Sequence, residues 1–176
     1  MSFSMSMSTS SIPTFEIGLS GLSAVLDKAA AYAAAKKIDP SVLLQSRLSP
    51  DMFPLVRQVQ IASDQAKNGI SRLAGVEPPR HEDNETTIDQ LKDRLARTLS
   101  YLKSIDQKKV DGSADHDITF PLGPTNKGHM KGADYLNHFV LPNFYFHMTA
   151  AYAILRHCGV DLGKRDFLGA IPMKMT

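Results

Sequence analysis

Apolar residues recur at helical spacing in four stretches of the chain. Phe15, Leu19, Leu22, Leu26, Ala29 and Ala33 lie four, three, four, three and four positions apart, which predicts one buried stripe on a helix over about 13–37. Pro13 suits its first turn, where a missing N–H costs nothing. Gly18 and Gly21 weaken a helix by ~1 kcal/mol each relative to Ala, so they point to close approach of a neighbouring backbone. Leu55, Val59, Ala62, Ala66, Ile70 and Leu73 mark a second helix over about 51–73, with Gly75 as its stop. A third opens on the capping-box pattern Thr86-Thr87-Ile88-Asp89 and presents Ile88, Leu91, Leu95, Leu99, Leu102 and Ile105.

The pattern then breaks. Residues 106–131 are polar and interrupted by Gly112, Pro121, Gly123, Pro124 and Gly128. Ile118, Phe120 and Leu122 alternate, which predicts a short strand, half of a hairpin. A connection this long in a compact domain is often functional. A fourth helix over about 133–158 is apolar on nearly every side and is expected to be the most buried. Pro142 in its interior should kink or split it. In the closing segment, Leu162, Phe167, Leu168 and Ile171 are expected to pack on the bundle. Residues 1–12 are rich in Ser and read as a flexible lead-in; residues 13–176 read as one domain. The fold class is all-α, a four-helix bundle with a short β excursion.

Composition narrows the function classes. The chain has 176 residues, 43% of them hydrophobic, enough for one sizeable core. Twenty Lys+Arg against eighteen Asp+Glu leave a net charge of +2, without the electrostatic footprint of a nucleic-acid or membrane-surface binder. The single cysteine, Cys158, excludes an intrachain disulfide and a Cys-based zinc site. The start carries no secretory signal pattern, and no stretch approaches the ~20 apolar residues of a spanning helix. A cytoplasmic location is the expectation.

Candidate chemistry concentrates on helix four. Leu136, Val140, Asn143, His147, Ala150 and Ile154 share one stripe, so Asn143 and His147 interrupt an apolar face. Buried polar groups without partners cost ~1–3 kcal/mol, so both need partners, and a polar cavity between helices is one way to supply them. Mutual satisfaction within a filled core is the other. His138 and His157 fall on other faces of the helix than His147. Cys158 sits at a helix C-terminus, where the dipole opposes a thiolate. No nucleophile elbow or phosphate-binding glycine loop is present. The aromatic cluster around Phe139, Phe144, Tyr145 and Phe146 lacks interleaved positive charge but fits a homodimer contact.

The stretches Arg47-Leu48-Ser49-Pro50-Asp51-Met52-Phe53-Pro54-Leu55, Pro142-Asn143-Phe144-Tyr145-Phe146-His147 and Gly159-Val160-Asp161-Leu162-Gly163-Lys164 resemble an uncharacterised bacterial domain-of-unknown-function family. That family is similar in helix order to the DinB-like (YfiT-like) four-helix bundles. The resemblance implies a fold that is often dimeric and that often holds a divalent metal on three histidines, one on helix two and two spaced four apart on helix four. Some members are thiol transferases or hydrolases. His147 matches the second histidine of the helix-four pair. The first falls at Asn143 and the helix-two ligand falls near Gln58, so two of three imidazoles are replaced. One imidazole alone does not hold such a metal. The expectation is therefore a metal-free small-molecule binder without a cofactor, its degenerate site formed by His147, Asn143 and Gln58. A divalent-metal-dependent transferase or hydrolase, and a purely structural dimer, are the alternatives.

Overall fold

A computed structural model describes residues 6–173. Four long helices, α1 (Met7–Lys36), α3 (Leu55–Leu73), α4 (Ile88–Ser104) and α7 (Leu141–His157), form the bundle. Short helices α2 (Pro40–Gln45), α5 (Gln107–Asp111), α6 (Gly132–Asp134) and α8 (Lys164–Leu168) cover its ends and edges. Strands β1 (Asp117–Leu122) and β2 (Asn126–Lys131) pair antiparallel, Asp117 opposite Lys131 and Leu122 opposite Asn126.

Helix α1 begins six residues earlier than its apolar stripe predicts. Ser6 caps it, accepting from the Thr9 N–H while Thr9 reaches back to the Ser6 N–H. The hydroxyls of Ser10, Ser11 and Thr14 return to carbonyls four residues back. The Ser8 N–H donates to Asp111 on α5 at 2.8 Å, placing a carboxylate at the positive end of the α1 dipole. The flexible lead-in expected over residues 1–12 is thus corrected for 7–12, which are helical; residues 1–5 lie outside the described residues.

The predicted stripes are buried where expected. Phe15, Leu19, Leu26, Ala29 and Ala33 on α1, and Leu55, Val59, Ala62, Ala66 and Ile70 on α3, are all fully enclosed. Gly21 lets the backbone of the α8 turn approach: a Cβ there would stand 3.5 Å from the Asp166 carbonyl oxygen and from the Gly169 Cα. Gly18 makes room instead for the Phe144 ring and the Met148 sulfur. The expectation that helix four is the most buried is corrected. Helix α3 holds that place, because α7 leaves Tyr145 and Phe146 exposed while α3 buries even Gln58, Gln60, Ser63, Lys67 and Ser71. Helices α3 and α7 make the most extensive contact in the molecule.

The predicted fourth helix is split just before Pro142, which falls in the first turn of α7. The chain runs through α6 into a π-helical turn over Tyr135–Val140 and only then into α7. The Leu141 N–H reaches five residues back, to the Leu136 carbonyl. The wide turn gives the proline ring room that a regular turn would deny it. Phe120 of β1 packs on Tyr135 and Phe139 of this turn, with ring centroids 4.8 and 4.4 Å apart, which fastens the hairpin to the bundle. At the other end of the chain the cover is partial: Leu162 is buried and Phe167 packs edge-on to Tyr152, but Leu168 and Ile171 remain exposed.

Candidate functional site

Of the three residues singled out from the sequence, two meet. The His147 imidazole on α7 and the Gln58 amide on α3 are joined by a 2.7 Å hydrogen bond between Nδ1 and Oε1. Gln58 is fully enclosed and His147 is 8% exposed. The amide nitrogen of Gln58 donates to the Phe53 carbonyl at 3.1 Å, which fixes Oε1 as the face turned to the histidine. An amide oxygen only accepts, so Nδ1 must carry the proton. The remaining nitrogen, Nε2, is then a bare lone pair. It has no partner among the described residues and is not among the side-chain atoms sealed from solvent, so it meets water. Burial, with the nearby Arg57 charge, pushes this imidazole down to about 4, so it is neutral at pH 7.

Asn143 behaves differently. Its amide nitrogen donates to the Phe139 carbonyl at 2.7 Å, four residues back along its own chain. It is half-buried and makes no hydrogen bond to His147 or Gln58. The side chain therefore serves the backbone where the wide turn meets Pro142.

This arrangement does not fit the three-imidazole metal site that the fold resemblance implies. The α3 position facing His147 carries an amide already engaged with Nδ1 and with the Phe53 carbonyl. Among the described residues, no group of three or more His, Cys, Asp and Glu side chains is arranged to hold a metal ion. No described helix is long and apolar enough to cross a membrane.

An apolar groove of about 420 Å³ lies on the adjoining face of α7, lined by residues that include Leu48, Met52, Pro142, Tyr145 and Phe146. Phe146 connects it to the histidine: its ring stands edge-on to the imidazole at 5.2 Å. The Phe146 ring is 59% exposed, a high value for a ring packed on a buried polar pair, and Phe53, whose carbonyl holds Gln58, is 55% exposed.

A second polar constellation escaped the sequence reading. Arg94 on α4 is fully enclosed and contacts Asp64 of α3 at 2.8 Å, Asp83 at 2.9 Å and Glu85 at 3.1 Å. Gln60 donates to Glu85 at 2.8 Å, Lys67 pairs with Asp64 at 3.1 Å and Arg57 pairs with Asp83. Burial pushes the Glu85 carboxyl up, yet hydrogen bonds from Gln60, its own backbone and Arg94 outweigh it and leave the group below the ordinary carboxylate range. His81 beside this network is driven to about 4 by burial and by the charges of Lys67, Arg94 and Arg97. The network ties the segment between α3 and α4 onto both helices. The signal was present: Leu91, Arg94, Thr98 and Leu102 keep helical spacing, and Thr98 meets Ser63 across the core at 2.8 Å.

Among the described residues the mainly helical bundle with one hairpin has the architecture of a DinB-like protein. Residues 7–168 match the family model described as Domain of unknown function (DUF1993), and the chain belongs to that family. The crystal structure of a DinB family member protein from Shewanella denitrificans is similar over nearly the whole fold. Its TM-score is 0.87 at 43% sequence identity, covering 94% of this chain and 93% of that one. No curated protein matches the chain.

Proposed function

We propose that this protein is a metal-free small-molecule-binding bundle, in which the neutral His147 offers Nε2 as a hydrogen-bond acceptor beside an apolar groove. The observation that carries this reading is the Gln58–His147 bond, which fixes the tautomer and leaves Nε2 free. The ligand it fits has an apolar body and one hydroxyl or amide N–H donor. A carboxylate would find no donor in Nε2. Asn143, half-buried on the same stripe, would offer a ligand its amide oxygen and second N–H while its other N–H keeps the Phe139 carbonyl. Thermal-shift screening of neutral metabolites against the wild type and His147→Ala tests the proposal. A hit that raises the wild-type melting temperature and leaves the variant unmoved is the expected result; equal responses from both proteins would refute it.

The exposed rings favour a second reading on the same face. Phe53, Tyr145 and Phe146, with Leu48, expose an apolar patch of the kind that joins two copies of a chain. Sedimentation of the wild type and Phe146→Glu separates the two readings: a dimer that the substitution dissociates supports self-association, and a monomeric wild type removes it.

A further inference from the structure

Arg72, Lys108, Lys109 and His116 converge on a cleft of about 370 Å³ at the hairpin end of the bundle. Arg72 lies fourteen residues beyond Gln58 on α3, ~21 Å along the axis, so the cleft is remote from His147. Leu73, Ala74 and Ile118, all buried, line its apolar part. Among the described residues, none of Arg72, Lys108 and Lys109 is ion-paired. The carboxylate that lines the cleft, Asp117, is already held by Lys131 at 2.7 Å.

The arginine is positioned in advance. Its Nη1 donates to the Tyr135 hydroxyl at 2.9 Å. Tyr135 is fully enclosed and packs on Phe120 and Phe139, so the hydroxyl cannot wander. The other guanidinium N–H groups remain for a ligand, in the fork geometry that suits phosphate oxygens. Lys108 and Lys109 add two point charges from a five-residue helix whose own start is capped by Asp106. Three unneutralised cations around one small cleft match a dianion better than a single carboxylate.

We propose that this cleft binds the phosphate group of a small molecule, or the free anion, with the guanidinium of Arg72 as its anchor. Inorganic phosphate and phenyl phosphate, titrated separately into amide-resolved NMR samples at low salt, test it. Both should shift the Gly75 and Gly112 amides, and the effect should weaken with added salt. Tighter binding of phenyl phosphate assigns the cleft to an organic phosphate, and equal binding assigns it to the free anion. Lys108→Gln combined with Lys109→Gln alters only exposed side chains and should weaken either ligand about tenfold, whereas Lys36→Gln, exposed at the end of α1 far from the Ser8 contact with α5, should leave both unchanged. Absence of shifts at Gly75 and Gly112, or undiminished binding in the lysine variant, would overturn the proposal. Equal binding of benzyl alcohol would overturn it as well, by showing that charge plays no part.

Discussion

Lowering the pH from neutral should destabilise the protein through His147. Its imidazole sits at about 4 in the folded chain against an ordinary 6.5. Between those values the unfolded chain holds a proton that the folded ring refuses. The contribution to stability is therefore complete above 6.5 and is lost as the pH falls towards 4. A displacement of that size removes about 2 kcal/mol between pH 7 and pH 5, and about 3 kcal/mol at full depth. Because Nε2 meets water, solvent screening makes these figures upper values.

Two other sets of groups respond to acid, and they must be separated. His81 titrates over the same window, since its ring is also driven to about 4. Asp83 and Glu85 lie below their ordinary values, so their contribution is present above pH ~4.5 and fades only beneath it. His147→Gln isolates the term: it cannot titrate, yet it keeps an amide that can bond Gln58. Urea unfolding of both proteins from pH 7.5 to pH 5 is the assay. The wild type should lose about 2 kcal/mol relative to the variant between pH 7 and pH 5. Parallel stability curves, or an imidazole resonance of His147 titrating near 6.5, would refute the reasoning.

Gln58→His combined with Asn143→His restores three imidazoles to the positions that the family resemblance marks; this variant should retain about one equivalent of zinc after gel filtration, where the wild type retains less than about a tenth by elemental analysis. Arg94→Met leaves three carboxylates facing an apolar group and should cost ~3–5 kcal/mol in urea unfolding, with partial recovery when Glu85→Gln is added. Gly132→Ala should be worse tolerated than Gly18→Ala. Its Cβ would stand 2.0 Å from the Ser113 carbonyl oxygen, which is backbone, whereas at Gly18 the nearest atoms belong to the Phe144 ring at 2.8 Å. Gly18→Ala should cost ~1–3 kcal/mol by overpacking, and circular-dichroism melts of the two variants give the comparison.

Spacing along a helix reports the direction of a side chain, not its partner, and that distinction divides what was legible from what was not. Leu55, Val59, Ala62, Ala66 and Ile70 were readable because an apolar side chain needs only to face inward, and all five are fully enclosed. The hairpin was half-readable for the same reason: Ile118 and Phe120 alternate inward, while the partner strand Asn126–Lys131 has little apolar signal of its own. Asp111 on the start of α1 and Glu85 beneath Arg94 were not readable, since nothing local to Ser8 or to Arg94 names a carboxylate elsewhere in the chain. Direction alone also did not name the partner of Asn143, which shares a stripe with His147 but lies just past a π-helical turn and a proline. A polar side chain beside a disturbed backbone bonds that backbone first, because an unpaired carbonyl costs as much as an unpaired amide. Gln58 lies near the start of α3, where its amide nitrogen serves the Phe53 carbonyl and its amide oxygen, which can only accept, reaches across to α7. Both amides thus hold a backbone carbonyl through nitrogen, Gln58 that of Phe53 and Asn143 that of Phe139, and what separates them is that the Gln58 oxygen meets the imidazole on α7, a pairing between helices that spacing along either one does not report.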